Sequence, residues 1–284
     1  MNPEPLRRSL FAAAAVLFLF AGPQLLEGRQ SAVVTPTTTI KLFDGTLANF
    51  DPWLVGHHTA DPERVYDVVD QIDGAPAIRI SGKVWGGLLT KQTYRNYRLV
   101  AEFRWGGVTW GQRTDRARDS GILIHAQGRP GNTQKDFNGP WLMSHELQII
   151  EGGVGDYISV SGFTETGEQI RPSVTVPVRK DRDGERVWDA KGAPTAVNGG
   201  RVNWWGRSED WDDKLGFRGP KDVETPSLGW TRVEAVVNGA NLQYFVNGQL
   251  VFEATNSSLT EGKIMIQSEG AEIYFRRIDL EPLK

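Results

Sequence analysis

Tyr97-Arg98-Leu99-Val100-Ala101-Glu102-Phe103-Arg104-Trp105 alternates in character along its length. Tyr97, Leu99, Ala101, Phe103 and Trp105 share one parity; Arg98, Glu102 and Arg104 share the other. Successive side chains of an extended chain point to opposite faces, so this stretch predicts a β-strand with one face in a core and one in water. The same period returns near the C-terminus, where Val233, Ala235 and Val237 alternate with Arg232, Glu234 and Val236. Leu242, Tyr244 and Val246 follow the turn signal Asn238-Gly239. Asn247-Gly248 then predicts a tight hairpin, because a type I′ turn needs positive φ at both central residues. Ile264, Ile266, Ile273, Phe275 and Ile278 predict two further strands. From Ile40 onward no segment keeps a helical period. Short strands punctuated by Gly, Asn and Asp predict an all-β fold of two antiparallel sheets packed as a sandwich.

Working outward, Arg7 and Arg8 precede an unbroken apolar run from Leu10 to Ala21. That run suits a secretory signal and falls short of the roughly 20 apolar residues of a spanning helix. Residues 1–31 are therefore expected to be a signal peptide, or an N-terminal anchor, and the start of a linker. Residues 32–39, rich in Val, Thr and Pro, are expected to be linker, and 40–284 a single β-sandwich domain. The expected location is outside the cytosol, periplasmic or extracellular. The chain has no cysteine, so its stability rests on packing without disulfides. The net charge is −3 with the basic residues scattered, which excludes a phosphate-backbone footprint and hence a nucleic-acid partner. No lipid partner is expected, and the membrane enters only through an uncleaved signal. The ten tryptophans suit sugar rings, whose C–H faces stack on indole, as well as a core. Phe163 to Pro226 is long, polar and Trp-bearing. A structureless insertion of that size is uncommon, so short strands and loops forming one rim of a site are expected there.

The segment that points to chemistry is Ser144-His145-Glu146-Leu147-Gln148-Ile149-Ile150-Glu151-Gly152-Gly153. As a strand it places Glu146 and Gln148 on one face, Leu147 and Ile149 on the other. Glu151 falls on the opposite parity from Glu146, and a β-bulge at Ile149-Ile150 would bring it back. Two carboxylates and an amide would then line one surface, the set that acid–base chemistry on a sugar needs. Without chemistry, the same residues make an ordinary solvated strand face.

The chain resembles the 3-keto-disaccharide hydrolase family, within the concanavalin A-like lectin/glucanase superfamily. The resemblance runs in order through Leu42-Phe43-Asp44-Gly45, Gly86-Gly87-Leu88-Leu89-Thr90, Tyr94-Arg95-Asn96-Tyr97, Glu102-Phe103-Arg104 and Asp119-Ser120-Gly121-Ile122. It continues through Glu146-Leu147-Gln148-Ile149, Val246-Asn247-Gly248, Ile264-Met265-Ile266-Gln267 and Phe275-Arg276-Arg277-Ile278. It implies a jelly-roll sandwich of two antiparallel sheets and an exported hydrolase of 3-keto-glycosides. It also implies Glu146 and Glu151 as catalytic residues. Gln148, His125, Arg104 and His145 are expected at the substrate, with Trp204, Trp205 and Trp211 as sugar-stacking residues. Gln148 stands where laminarinase-type glucanases carry an aspartate between two glutamates, which argues against double displacement. Asp119 stands where Asn is usual in the resembled family, and His125 where Arg is common.

No cofactor is expected. A divalent ion such as calcium could suit Glu209, Asp210, Asp212 and Asp213, but the spacing of a calcium loop is missing. His57 and His58 diverge if extended and do not suit a metal pair. No phosphate-cradling glycine loop and no serine nucleophile elbow is present. The alternative to an enzyme is a non-catalytic carbohydrate-binding, lectin-like module of the same fold, because fold does not fix function.

Overall fold

The computed structural model describes Met1 and residues 32–284. The expected export segment therefore lies outside the described residues, apart from Met1. The described chain is almost wholly strand and turn, in two large antiparallel sheets that face each other. The first has the order β18 (Gln249–Ala254), β17 (Asn241–Val246), β16 (Thr231–Asn238), β6 (Tyr97–Thr109), β20 (Ala271–Pro282), β4 (Ala75–Ile80), β3 (Tyr66–Ile72), with β1 (Ile40–Lys41) also paired to β20. The second has the order β15 (Gly200–Val202), β9 (Tyr157–Val160), β8 (Met143–Ile150), β7 (Asp119–Gln127), β19 (Lys263–Ser268), β5 (Gly86–Thr90), β2 (Phe50–Leu54). The chain crosses between the sheets many times, giving the sandwich expected from its alternation and the jelly roll implied by the resemblance. Among the described residues no helix is long and apolar enough to cross a membrane.

The alternating strand behaves as its pattern demands. Tyr97, Leu99, Ala101, Phe103 and Trp105 are at most 2% exposed and lie in the core between the sheets. Arg98, Glu102 and Arg104 point out of the first sheet, where Arg98 Nε meets Glu234 at 2.6 Å and Arg276 Nε meets Glu102 at 2.6 Å. Asn247 and Gly248 both have positive φ, 46° and 79°, as the hairpin between β17 and β18 requires. The second sheet gives Ile122, Ile124, Leu147, Ile149, Ile264 and Ile266 to the core. Its outer face is thereby left to the residues of opposite parity.

One expectation changes and another is extended. The expected linker is docked: Val34 pairs with Tyr94, through Val34 N to Thr93 O at 2.8 Å and Arg95 N to Val34 O at 3.0 Å. The insertion does contain short strands, β10 (Gly162–Phe163) with β11 (Gln169–Ile170), and β13 (Arg186–Trp188), β12 (Val174–Lys180) and β14 (Ala193–Val197) as a three-stranded sheet. It also supplies core, with Val174, Val176, Trp188, Val197, Val202 and Trp204 all buried in the main cluster.

His125 and His145, expected at the substrate, are core residues. His145 shares the parity of Leu147; its Nδ1 bonds Tyr157 Oη at 2.8 Å and its Nε2 bonds Ser257 Oγ at 2.8 Å. Ser257 Oγ donates in turn to Leu259 O at 2.6 Å, which also bonds His125 Nδ1 at 3.0 Å. His125 sits in a one-residue bulge of β7, at φ 55°, with its ring edge-on to Tyr97. The bulge turns it out of the alternation, and Gly262 packs so closely on its backbone that a Cβ there would collide.

Burial lowers the pKa of both, to about 4 for His125 and about 3 for His145, so each is neutral in the fold. Unfolded histidine titrates near 6.5, so between the two values the unfolded chain binds more protons. Histidine-linked stability is complete above the unfolded value and is lost as pH falls through it. Buried carboxylates with raised pKa work in the opposite sense, so the effect is read as a difference. Between pH 6 and 5, wild type should lose about 1 kcal/mol more stability than His145→Gln in urea denaturation. Equal pH slopes would contradict the buried neutral His145.

Candidate functional site

The outer face of the second sheet can be built from register alone. Arg201 on β15 pairs with Ile158 on β9, Ile158 with Glu146 on β8, Glu146 with Leu123 on β7, and Leu123 with Met265 on β19. Paired residues share a face, so these five form one transverse row. In the next row Gln148 pairs with Gly121, and Gln267 with Gly87, which pairs with Trp53 on β2. Asp119 precedes Gly121 by two and Glu269 follows Gln267 by two, so they begin a third row. The face thus collects Asp119, Glu146, Gln148, Gln267 and Glu269.

Their side chains converge. Gln148 Nε2 donates to Asp119 Oδ1 at 2.7 Å. Arg113, from the loop before β7, forms an ion pair with Asp119 and reaches Asp213 at 3.1 Å. Gly121 is the floor: a Cβ there would collide with both Gln267 Oε1 and Glu146 Oε1. Glu146 is 4% exposed, Gln148 2% and Gln267 1%, so desolvation governs this place. Burial pushes Glu146 up to about 8, helped by the charge of Asp119 and opposed by Arg201 and by the nearby Gln267 amide, which lies beside Glu146 without forming a hydrogen bond of normal geometry. Burial also raises Asp119, against the pull of Arg113 and Arg201. Glu269 goes well above the ordinary carboxylate range through burial and the charges of Asp119 and Glu146. Three carboxyl groups thus share a dry surface with two arginines. Gln148 Oε1 and both amide atoms of Gln267 are buried without a hydrogen-bond partner. Buried polar groups in folded proteins are nearly always paired, and here three unpaired atoms lie together on one face, with bonding capacity that a polar ligand or water would complete.

The bulge expected at Ile149-Ile150 is absent. β8 pairs with β7 in unbroken register from His145 to Ile150, and the bulge lies one strand away, at His125. Glu151 therefore keeps the parity opposite to Glu146. Its carboxylate accepts from Arg118 N at 2.9 Å and Gly216 N at 2.9 Å and is ion-paired with Arg118. It faces a separate cavity of about 220 Å³ lined by Trp105, Arg118, Phe217 and Glu224 among others.

Arg104 points out of the other sheet, to Asp73 at 2.8 Å and over Trp230. Trp204 is 1% exposed in the core, and Trp205 packs on it while donating to Leu250 O at 2.9 Å. Trp211 donates to Glu151 O at 2.9 Å under Arg207. The half-buried indoles on the site's face are instead Trp85 and Trp141, stacked 5.6 Å apart, with Trp141 packed on the cluster of Trp53, Leu89, Leu123 and Met265.

Asp210 is held by Arg182, and Asp213 by Arg113 and Arg116. Among the described residues no group of three or more His, Asp or Glu is arranged to hold a metal ion. Glu269, Arg113 and Arg201 escaped the sequence reading. The parity of Gln267 and Glu269 against Ile264 and Ile266 was the available signal for Glu269; no pattern marked the arginines.

Two carboxylates five residues apart, one on β8 and one in the turn after it, thus have opposite energetic signatures. Removing Glu151 leaves the nearly buried Arg118 without its partner, so Glu151→Ala should lower unfolding free energy by about 3 kcal/mol. Glu146 keeps its proton when folded and loses it when unfolded above its ordinary pKa of 4.5, so its stabilising influence is lost as pH rises toward about 8. Glu146→Gln should therefore gain stability relative to wild type as pH rises from 5 to 8 in thermal denaturation. A Glu146→Gln variant that is progressively destabilised over that range would contradict the burial of a protonated acid.

Several solved structures share the overall likeness. A protein from Parabacteroides distasonis ATCC 8503 is 14% identical, with 87% of this chain and 94% of that chain covered and a TM-score of 0.47. The β-glucanase of Bacillus licheniformis is 12% identical, with coverage of 87% and 99% and a TM-score of 0.41. The carbohydrate-binding module CBM66 of Bacillus subtilis is 10% identical, with coverage of 76% and 91% and a TM-score of 0.39. These likenesses are too distant to bear on the site. Among curated proteins none matches the chain. The family model of the 3-keto-alpha-glucoside-1,2-lyase-like domain matches residues 38–281, which takes in both sheets, the insertion and every residue of the carboxylate surface, and the chain belongs to that family.

Proposed function

We propose that the protein cleaves the glycosidic bond of 3-keto-glycosides, 3-keto-disaccharides included, by acid–base chemistry at Asp119 and Glu146, acting outside the cytosol. The observation that carries this reading is the buried group of Asp119, Glu146 and Glu269 beside unpartnered amide atoms of Gln148 and Gln267. Like-charged carboxyl groups in a dry place do not all ionise together, so a proton donor and a proton acceptor coexist at neutral pH. Arg113 makes Asp119 the member most readily ionised, and Gln148 and Arg113 leave it lone pairs to spare. Glu146 keeps its proton at neutral pH.

A ketone at C3 acidifies the hydrogen on C2. Asp119 takes that proton, and the C2–H electron pair becomes an enolate spread over C2, C3 and O3. The Gln267 amide is the free donor for the enolate oxygen. The enolate then expels O1, with the C1–O1 bond breaking as Glu146 gives its proton to the departing oxygen. The products are an alcohol and a sugar with a C1=C2 double bond conjugated to the ketone. Addition of water across that bond yields the free 3-keto sugar. Asp119 replaces Glu151 as partner of Glu146, because Glu151 is spent on Arg118. The family description, a 1,2-lyase, supports elimination across C1 and C2. A binding module on the same sandwich would have no use for a buried protonated acid.

Glu146→Gln and Asp119→Asn should each lower kcat on a 3-keto-glucoside by about 10²-fold or more, while Glu151→Gln, assayed where it is folded, stays within about tenfold. The pH profile of kcat/KM should be a bell, rising with ionisation of Asp119 and falling near 8 as Glu146 loses its proton. Near wild-type turnover by Glu146→Gln would overturn the reading. Gly121→Ala should fold cooperatively, since it meets only the ends of two side chains, yet lose turnover by about tenfold or more by displacing Glu146.

A further inference from the structure

A cleft of about 290 Å³ lies at the β15 edge of the second sheet, lined by Lys180, Gly184, Glu185, Arg186, Arg201 and Asn203. Arg201 belongs both to this cleft and to the carboxylate surface, where its charge acts on Asp119, Glu146 and Glu269. Its side chain is one-third exposed, so it joins the buried carboxyl groups to solvent. Asp156 holds it from below at 3.3 Å.

The other two cations are unspent. Lys180 and Arg186 are register partners on β12 and β13, so their side chains leave the same face together. Lys180 Nζ donates to Gly184 O at 2.7 Å and Arg186 Nη2 to Gly199 O at 3.0 Å. Among the described residues neither has an acidic partner within salt-bridge distance, in a chain whose other arginines are mostly paired. The acid of the cleft, Glu185, is turned aside to Asn203 Nδ2 at 2.7 Å. At the far side of the carboxylates, the Trp85–Trp141 pair offers an aromatic face. The surface is therefore polarised, aromatic at one end and cationic at the other.

We propose that the Lys180–Arg186–Arg201 cleft is a subsite for an anionic aglycone, so that the preferred substrates are 3-keto-glycosides whose leaving group carries a carboxylate or a similar anion. This rests on the catalytic reading only for the word aglycone; the anion subsite itself is defined by the three cations. The ring to be cleaved lies over Gly121 and Gln267, and the departing group extends across β8 and β9 toward Arg201. The guanidinium of Arg186 suits a carboxylate in two-point contact, and Lys180 adds a second charge.

Calorimetry with two unoxidised glucosides tests the subsite without turnover: 4-carboxyphenyl α-glucoside and its neutral 4-carbamoylphenyl counterpart. The carboxylate should bind about tenfold tighter at low salt. The advantage should shrink with added salt, and should vanish in Arg186→Gln and fall in Lys180→Gln, each checked for folding by circular dichroism. Equal affinity for the two glucosides, or no measurable binding of either, overturns the subsite. Turnover of a neutral 3-keto-glucoside is measured alongside. Carboxylate preference without any turnover keeps the subsite and overturns the catalytic reading; turnover without preference does the reverse.

Discussion

Burying Asp119, Glu146 and Glu269 on one sheet face is the constraint around which the second sheet is arranged. Each carboxyl group is raised by desolvation; the charge of Asp119 raises Glu146 and Glu269 further, and that of Glu146 raises Glu269. Water would remove the problem, but the three carboxyl groups are buried, with Arg113 on one side and Arg201 on the other. Two guanidinium groups bring the ionised form of Asp119 back within reach of neutral pH without giving all three carboxyl groups a charge. Each pKa unit is about 1.4 kcal/mol of preference between protonation states, so the arrangement costs stability and stores a proton where it is needed. The glycine at 121 belongs to the same economy of space, since any side chain there would push Glu146 and Gln267 apart.

The polar machinery stands on a deeper framework. Asp156 is fully buried in the turn after β8; its carboxylate accepts from Trp204 N at 2.8 Å, pairs with Arg207 and holds Arg201. Its backbone carbonyl accepts from Gln148 N at 3.0 Å. One aspartate thus ties the insertion, through Trp204, Arg201 and Arg207, to the strand that carries Glu146 and Gln148. The insertion is in this sense part of the site's foundation, with Trp204 held by packing and Trp205 and Trp211 by packing and hydrogen bonds. The indoles free to meet a ring come from the opposite edge, at Trp85 and Trp141.

Alternation made Tyr97–Trp105 legible, because period two reports a face directly and four large apolar side chains with Ala101 left no other place for that face. It also made Glu146 and Gln148 legible as neighbours. What period two does not report is which of the two sheets a strand joins, and that is why Arg104, correctly read as facing outward, stands on the far side of the molecule from Glu146. Nor does it report where an extra residue interrupts the count. The bulge expected at Ile149-Ile150 would have moved Glu151 to the working face; the actual bulge moved His125 into the core. Asp119 was visible only as an unusual residue in its motif, and Glu269 only through the parity of the strand before it. Arg113 and Arg201 reach the site through loops and an edge strand, across separations that local pattern does not encode.

On this surface Glu146 keeps its proton at neutral pH. Carbon-13 labelling of the glutamate side-chain carboxyl groups, followed by NMR titration of the intact protein, reads this directly. A resonance should remain in the protonated range at pH 7, titrate near 8 and disappear in Glu146→Gln. If that resonance titrates with the exposed glutamates in the ordinary carboxylate range, Glu146 is ionised at neutral pH and the account is wrong.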